Sequence, residues 1–120
     1  MVMIPKEAIQ SYLFAERAKT NLITLSQMIT VLSDLKGAEK SGAKRMFKLL
    51  VNAVAQDLTF AEKATGSKEF LEAVKILDGI APMLDNDEFD DVSLAIGNAM
   101  TQATTPAQQG WQVLSENGLV

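Results

Sequence analysis

Five carboxylates, Asp85, Asp87, Glu88, Asp90 and Asp91, fall within seven consecutive positions of a chain that has fifteen acids in 120 residues. Acids this dense can ligate a hard cation through their oxygens or hold a metal that activates water. They can also occupy the first turn of a helix, where the macrodipole favours negative charge. A calcium loop of the EF-hand type needs oxygen ligands at positions 1, 3 and 5, glycine at 6 and glutamate at 12. Counted from Asp85, those last three places hold Phe89, Asp90 and Ile96, so the loop fails. A second arrangement is broader: Glu69-x-x-Glu72, fifteen residues, then Glu88-x-x-Asp91 followed by Val92.

That spacing resembles the motif of the MazG-like all-α nucleoside triphosphate pyrophosphohydrolases. The resemblance covers residues 69 to 92. It implies a helical fold assembled as dimers or tetramers, with Mg²⁺ as cofactor and Glu69, Glu72, Glu88 and Asp91 as its ligands. Helix geometry gives a different reading of the same residues. At about 100° per residue, Glu72 points away from the stripe of Phe70, Val74 and Leu77, whereas ligands of one metal must converge. A helix start accounts for more: Asp85 as cap, Glu88 completing a capping box, and Asp87, Asp90 and Asp91 in the first turn. The leading expectation assigns no catalytic residue, no metal and no cofactor, and Mg²⁺ belongs to the alternative reading alone.

Other chemistry is limited by composition. There is no histidine and no cysteine. This removes the commonest general base, a Ser-His-Asp triad, thiolate metal sites and disulfides. The net charge of −4 provides no positive surface of the kind that displaces counterions from a nucleic acid, so none is expected as partner. The start, MVMIPKEAIQ, lacks the basic-then-apolar pattern of a leader, and Met1 and Met3 are terminal. No apolar run approaches the ~18 residues of a membrane span. The expected compartment is the cytoplasm.

The elements that must position these side chains all have helical periods. Ala8, Ala15, Ala18, Leu22, Leu25, Ile29 and Leu32 recur by threes, fours and sevens after Pro5, a residue suited to a first turn, and Ile9, Tyr12, Leu13, Ile23, Met28 and Leu35 widen this apolar stripe. This predicts helix 1 over 5–35, with Gly37 as its stop. Ser41 caps helix 2, which runs over 41–65 to Gly66, with Met46, Phe47, Leu50, Ala53, Val54, Leu58, Ala61 and Ala64 inward. Ser67 caps helix 3 over 67–84, burying Phe70, Val74, Leu77, Ala81 and Leu84, with a kink or early end at Gly79 and Pro82. Helix 4 spans 87–104 on Val92, Ala95, Ile96, Ala99, Met100 and Ala103. Thr105, Pro106 and Gln108 open a short helix 5 over 106–116. The expected fold is all-α: one domain over 1–120, an antiparallel up-down-up-down four-helix bundle with a short C-terminal fifth helix.

Helix lengths then suggest where partners bind. The first hairpin outreaches the second, leaving Val31, Leu35, Met46 and Phe47 at an apolar tip for a second copy of the chain or for the fifth helix. Trp111 is expected in the core, or at that interface if the fifth helix packs on a partner. The basic residues Lys36, Lys40, Lys44, Arg45 and Lys48 cluster at the helix 1–2 turn, the same end as the acids. Lys40, Lys44, Arg45 and Lys48 with Asp85, Asp87, Asp90 and Asp91 therefore form a candidate contact surface, paired within one chain or across a dimer. An anionic ligand held by Lys44 or Arg45 is a further alternative. The expectation is a small soluble protein acting through protein–protein contacts, self-associating and not an enzyme.

Overall fold

The computed structural model describes residues 4–119; Met1 and Met3 lie outside that range. Every regular element among the described residues is a helix: α1 (Pro5–Ser33), α2 (Gly37–Thr65), α3 (Lys68–Asp78), α4 (Ile80–Asp85) and α5 (Phe89–Glu116). The fold is all-α. No helix among the described residues is long and apolar enough to cross a membrane.

Three helices of 28 or 29 residues set the shape. At ~1.5 Å per residue each is about 42–44 Å long. The molecule measures 55 × 22 × 18 Å, and its radius of gyration of 15.9 Å exceeds the ~13.6 Å of a compact domain of this size. α1 packs on α2 and most extensively on α5, and α3 packs on the same two helices. Small residues allow the closest approach. A Cβ on Gly110 of α5 would lie 2.6 Å from the backbone oxygen of Ala8 on α1, so glycine is required there.

On α1 the residues from Ala8 to Leu32 that carry the period are buried, but of those expected to widen the stripe Ile9, Leu13 and Ile23 are exposed and Tyr12, Met28 and Leu35 are half-buried. Elsewhere tertiary packing alters what the pattern predicts. Gly37 does not stop α1, which ends at Ser33. It opens α2 instead, at φ 60° after an extended Lys36, and Ser41 lies inside that helix. The extra turn places Lys40 and Lys44 four residues apart on one helical face, where both reach Asp87. On α2 the buried stripe is Phe47, Val51, Val54, Ala55, Leu58 and Ala61, while Met46, Leu50, Ala53 and Ala64 are exposed.

Two prolines have opposite outcomes. The expected break near Gly79 occurs: the residue joins α3 to α4, and Pro82 sits in the first turn of α4, where no N–H is needed. Ile80 and Ala73 are buried here, whereas Ala81 is exposed. The expected break before Pro106 does not occur, and helices 4 and 5 are one helix, α5. Thr105 caps nothing; its hydroxyl donates to the Thr101 carbonyl. An interior proline costs about 3 kcal/mol, but the buried line Ala99, Ala103, Pro106, Ala107, Gly110 and Leu114 crosses it in phase. Continuing that line along α1 offsets the lost hydrogen bond.

Candidate functional site

The turn between α4 and α5 brings the basic and acidic clusters together within one chain. Asp87 adopts φ 57°, a left-handed conformation that aspartate tolerates better than most residues, and this turns its carboxylate toward α2. Lys40 donates to Asp87 at 2.8 Å and Lys44 donates to its other oxygen. Lys48, one turn further, pairs with Asp85. The same two ammonium groups lie 5.3 and 5.8 Å from the Phe89 ring centroid, close enough for cation–π attraction. Hydrogen bonds from Lys40 and then Lys44 hold the Asp87 carboxyl below its ordinary value of 3.8, against the opposing loss of hydration.

Other expectations at this end are corrected. Asp85 is the last residue of α4 and not a cap of α5; the cap position is Glu88, with no side-chain bond to the backbone. The turn is instead held by backbone bonds, with Asn86, Asp87 and Glu88 N–H groups donating to Pro82, Leu84 and Met83 carbonyls. Asp90 and Asp91 do occupy the first turn of α5. Among the described residues, neither they nor Arg45 form an ion pair, and all three are exposed. Lys44, one of the two side chains proposed to hold an anion, is engaged with a carboxylate.

The four carboxylates of the hydrolase pattern are not assembled. Glu72 pairs with Lys75 of its own helix at 3.3 Å, and Glu88 sits exposed at the start of α5. No group of three or more acidic side chains among the described residues is placed to hold a metal ion. An open cleft of about 360 Å³ between α2 and α3 is lined by Asn52, Ala55, Gln56, Thr59, Val74 and Asp78, where the sole ionisable group is Asp78.

The opposite flank of α2 has a different chemistry. Met46 and Val31 are 66% and 64% exposed, and Leu35 is half-buried. Phe47 is the exception: it is buried against the core, because it falls on the inner stripe of α2. Trp111, expected in the core, is 51% exposed and leans on Tyr12, with centroids 6.0 Å apart. It sits at the far end of the molecule from Val31 and Met46, beside the start of α1. Leu13, expected on the stripe of α1, is 60% exposed, and the sequence pattern had not singled out Leu49 (69%), Leu94 of α5 (65%) or Phe60 (62%). The signal for Leu49 and Phe60 was present: Met46, Leu49, Ala53, Phe60 and Ala64 recur by threes, fours and sevens, a second apolar line on α2 beside the buried one. The Phe14 and Phe60 rings meet at a tilt with centroids 5.9 Å apart, and Arg17 pairs with Asp57 at 2.9 Å, so α1 and α2 share this face.

The chain matches no family model, no curated protein and no solved structure in the comparisons made with each.

Proposed function

We propose that this protein acts through protein–protein contacts, on an antiparallel up-down-up-down arrangement of α1, α2, α3 with α4, and α5. Three pairings support that topology: Phe14 with Phe60, Tyr12 with Trp111, and Lys44 with Asp87. Each joins the ends that such a path brings level. The functional reading rests on one observation, the run of exposed large apolar side chains along α1 and α2. Single exposed leucines are ordinary, but a contiguous apolar patch of several hundred Å² marks an interaction surface.

A photo-crosslinking residue tests the reading, placed at position 49 or, as control, at the exposed Ser93 of α5. The expected result in extracts of the producing cells is a crosslinked protein from position 49 and none from position 93. Equal or absent crosslinking at the two positions removes the reading.

A further inference from the structure

We infer that the outer face of the α1–α2 hairpin seats a second copy of this chain, related by a two-fold axis passing near Ala53. The inference rests on the contact reading above and goes further by naming the occupant and the geometry.

Spacing is the first argument. Met46, Ala53 and Phe60 stand seven residues apart on one line of α2, and all three are exposed. Seven residues are close to two turns, so Met46 and Phe60 lie about 10 Å on either side of Ala53. A two-fold axis at Ala53 runs the two α2 helices antiparallel. It sets Met46 of each copy against Phe60 of the other, the thioether-to-ring contact that methionine makes well. The small side chain of Ala53 lets the two helices approach at the axis. On α1, Leu13, near the level of Phe60, and Val31, toward the Met46 end, flank this line, with Thr20 and Thr24 between them. The face thus has an apolar cluster at each end and small or uncharged residues in the middle, a layout that can complement itself.

Charge is the second. The chain carries −4, so two copies repel unless they meet where local charge vanishes. Along the lines from Leu13 to Val31 and from Met46 to Ala64, Arg17 and Asp57 neutralise each other, and the exposed Arg45 and Lys63 stand at the margin. Interface cores are depleted of charge in this way. A basic partner, which the net charge would steer toward this protein, finds nothing here to bind.

Area is the third. Six large side chains (Leu13, Val31, Met46, Leu49, Leu50 and Phe60) are each between 38% and 69% exposed. At roughly 150–200 Å² per side chain they present on the order of 600 Å² per copy. Two copies would bury about 1,200 Å², the lower bound of a stable specific interface, before the alanines and threonines are added.

Sedimentation equilibrium of the purified chain is the test. The expected mass is twice 13.0 kDa. It falls to one chain for Leu49→Glu and for Phe60→Ser, with helicity by circular dichroism unchanged. Because the chain has no cysteine, Ala53→Cys supplies a unique thiol at the proposed axis. On oxidation it should give a covalent dimer, whereas Ser93→Cys should not. A single-chain mass at every attainable concentration overturns the inference. So does a dimer that survives both substitutions, or one that Ser93→Cys links and Ala53→Cys does not. If the purified chain is monomeric yet position 49 still crosslinks to another protein, the contact reading stands and the self-association fails. If neither occurs, both fail.

Discussion

The two flanks of α2 differ as sharply as any two surfaces of the molecule. On one, Lys40, Lys44 and Lys48 meet Asp85 and Asp87 across the α4–α5 turn. On the other, Met46, Leu49, Ala53 and Phe60 face outward beside Leu13 and Val31, with a single ion pair among them. The charged flank is satisfied inside one chain, and its exposed pairs contribute modestly while fixing where the turn docks. The apolar flank has no covering element among the described residues. The contact reading proposed above assigns association to this second, mostly uncharged face.

The largest effect that tests this comparison belongs to the boundary between stripe and flank. Phe47 and Met46 are neighbours in sequence, yet one is 1% exposed and the other 66%. Phe47→Ala should cost about 3–5 kcal/mol in denaturant unfolding by opening a cavity in the core. Met46→Ala, measured at dilution where copies separate, should stay within about 0.5 kcal/mol. Similar losses at both positions would dissolve the distinction between the two faces.

Next comes Gly110, where α5 touches the backbone of α1. Gly110→Ala should destabilise by about 1–3 kcal/mol, since the added methyl requires backbone movement. Chemical denaturation reads this directly. An unchanged or raised midpoint would mean that the two helices are less tightly apposed than described.

The smallest effects sharpen the charged flank. Lys44→Glu should lower the melting temperature by setting a carboxylate beside Asp87, while Arg45→Glu, one residue on and unpaired, should leave it unchanged. The difference should shrink as salt rises. Acid provides a second check. The Asp87 carboxyl is held below its ordinary 3.8 by Lys40 and Lys44, so its contribution is complete above that pH. It is lost as the pH falls through the lowered value, because the unfolded chain takes up the proton first. Asp87→Asn should therefore be less stable than the natural chain at neutral pH and converge with it in strong acid. A gap that persists at low pH would mean that the charge of Asp87 is not what stabilises the turn, since asparagine accepts the same left-handed backbone.

Much of this was legible from local pattern. The stripe from Ala8 to Leu32, the glycine stop at Gly66, the break at Gly79 and the meeting of basic and acidic clusters at one end all follow from helical period, glycine geometry and chain reversal. The acidic stretch was legible as a helix start in Asp90 and Asp91. Asp85 and Asp87 are not part of that start; they pair with lysines of α2, one of the two arrangements expected for the clusters. Two interleaved apolar lines on α2 explain why Leu50 and Met46 were read as core and Leu49 and Phe60 were passed over. Periodicity reports that a helix has an apolar face; it does not say which of two faces a neighbour will cover.

The helical class, the reversals at Gly66 and before Phe89, and the absence of histidine and cysteine chemistry are properties of the sequence alone, since each depends on residue type and short spacing. Tertiary structure decided the rest. The path through Pro106 was settled by packing along α1, which outweighs a local penalty of about 3 kcal/mol. The early start of α2 puts Lys40 in the helix, on the face that meets an aspartate more than forty residues away. Which apolar line is buried and which remains at the surface depends on where α1 and α3 lie, a long-range arrangement that no local propensity encodes.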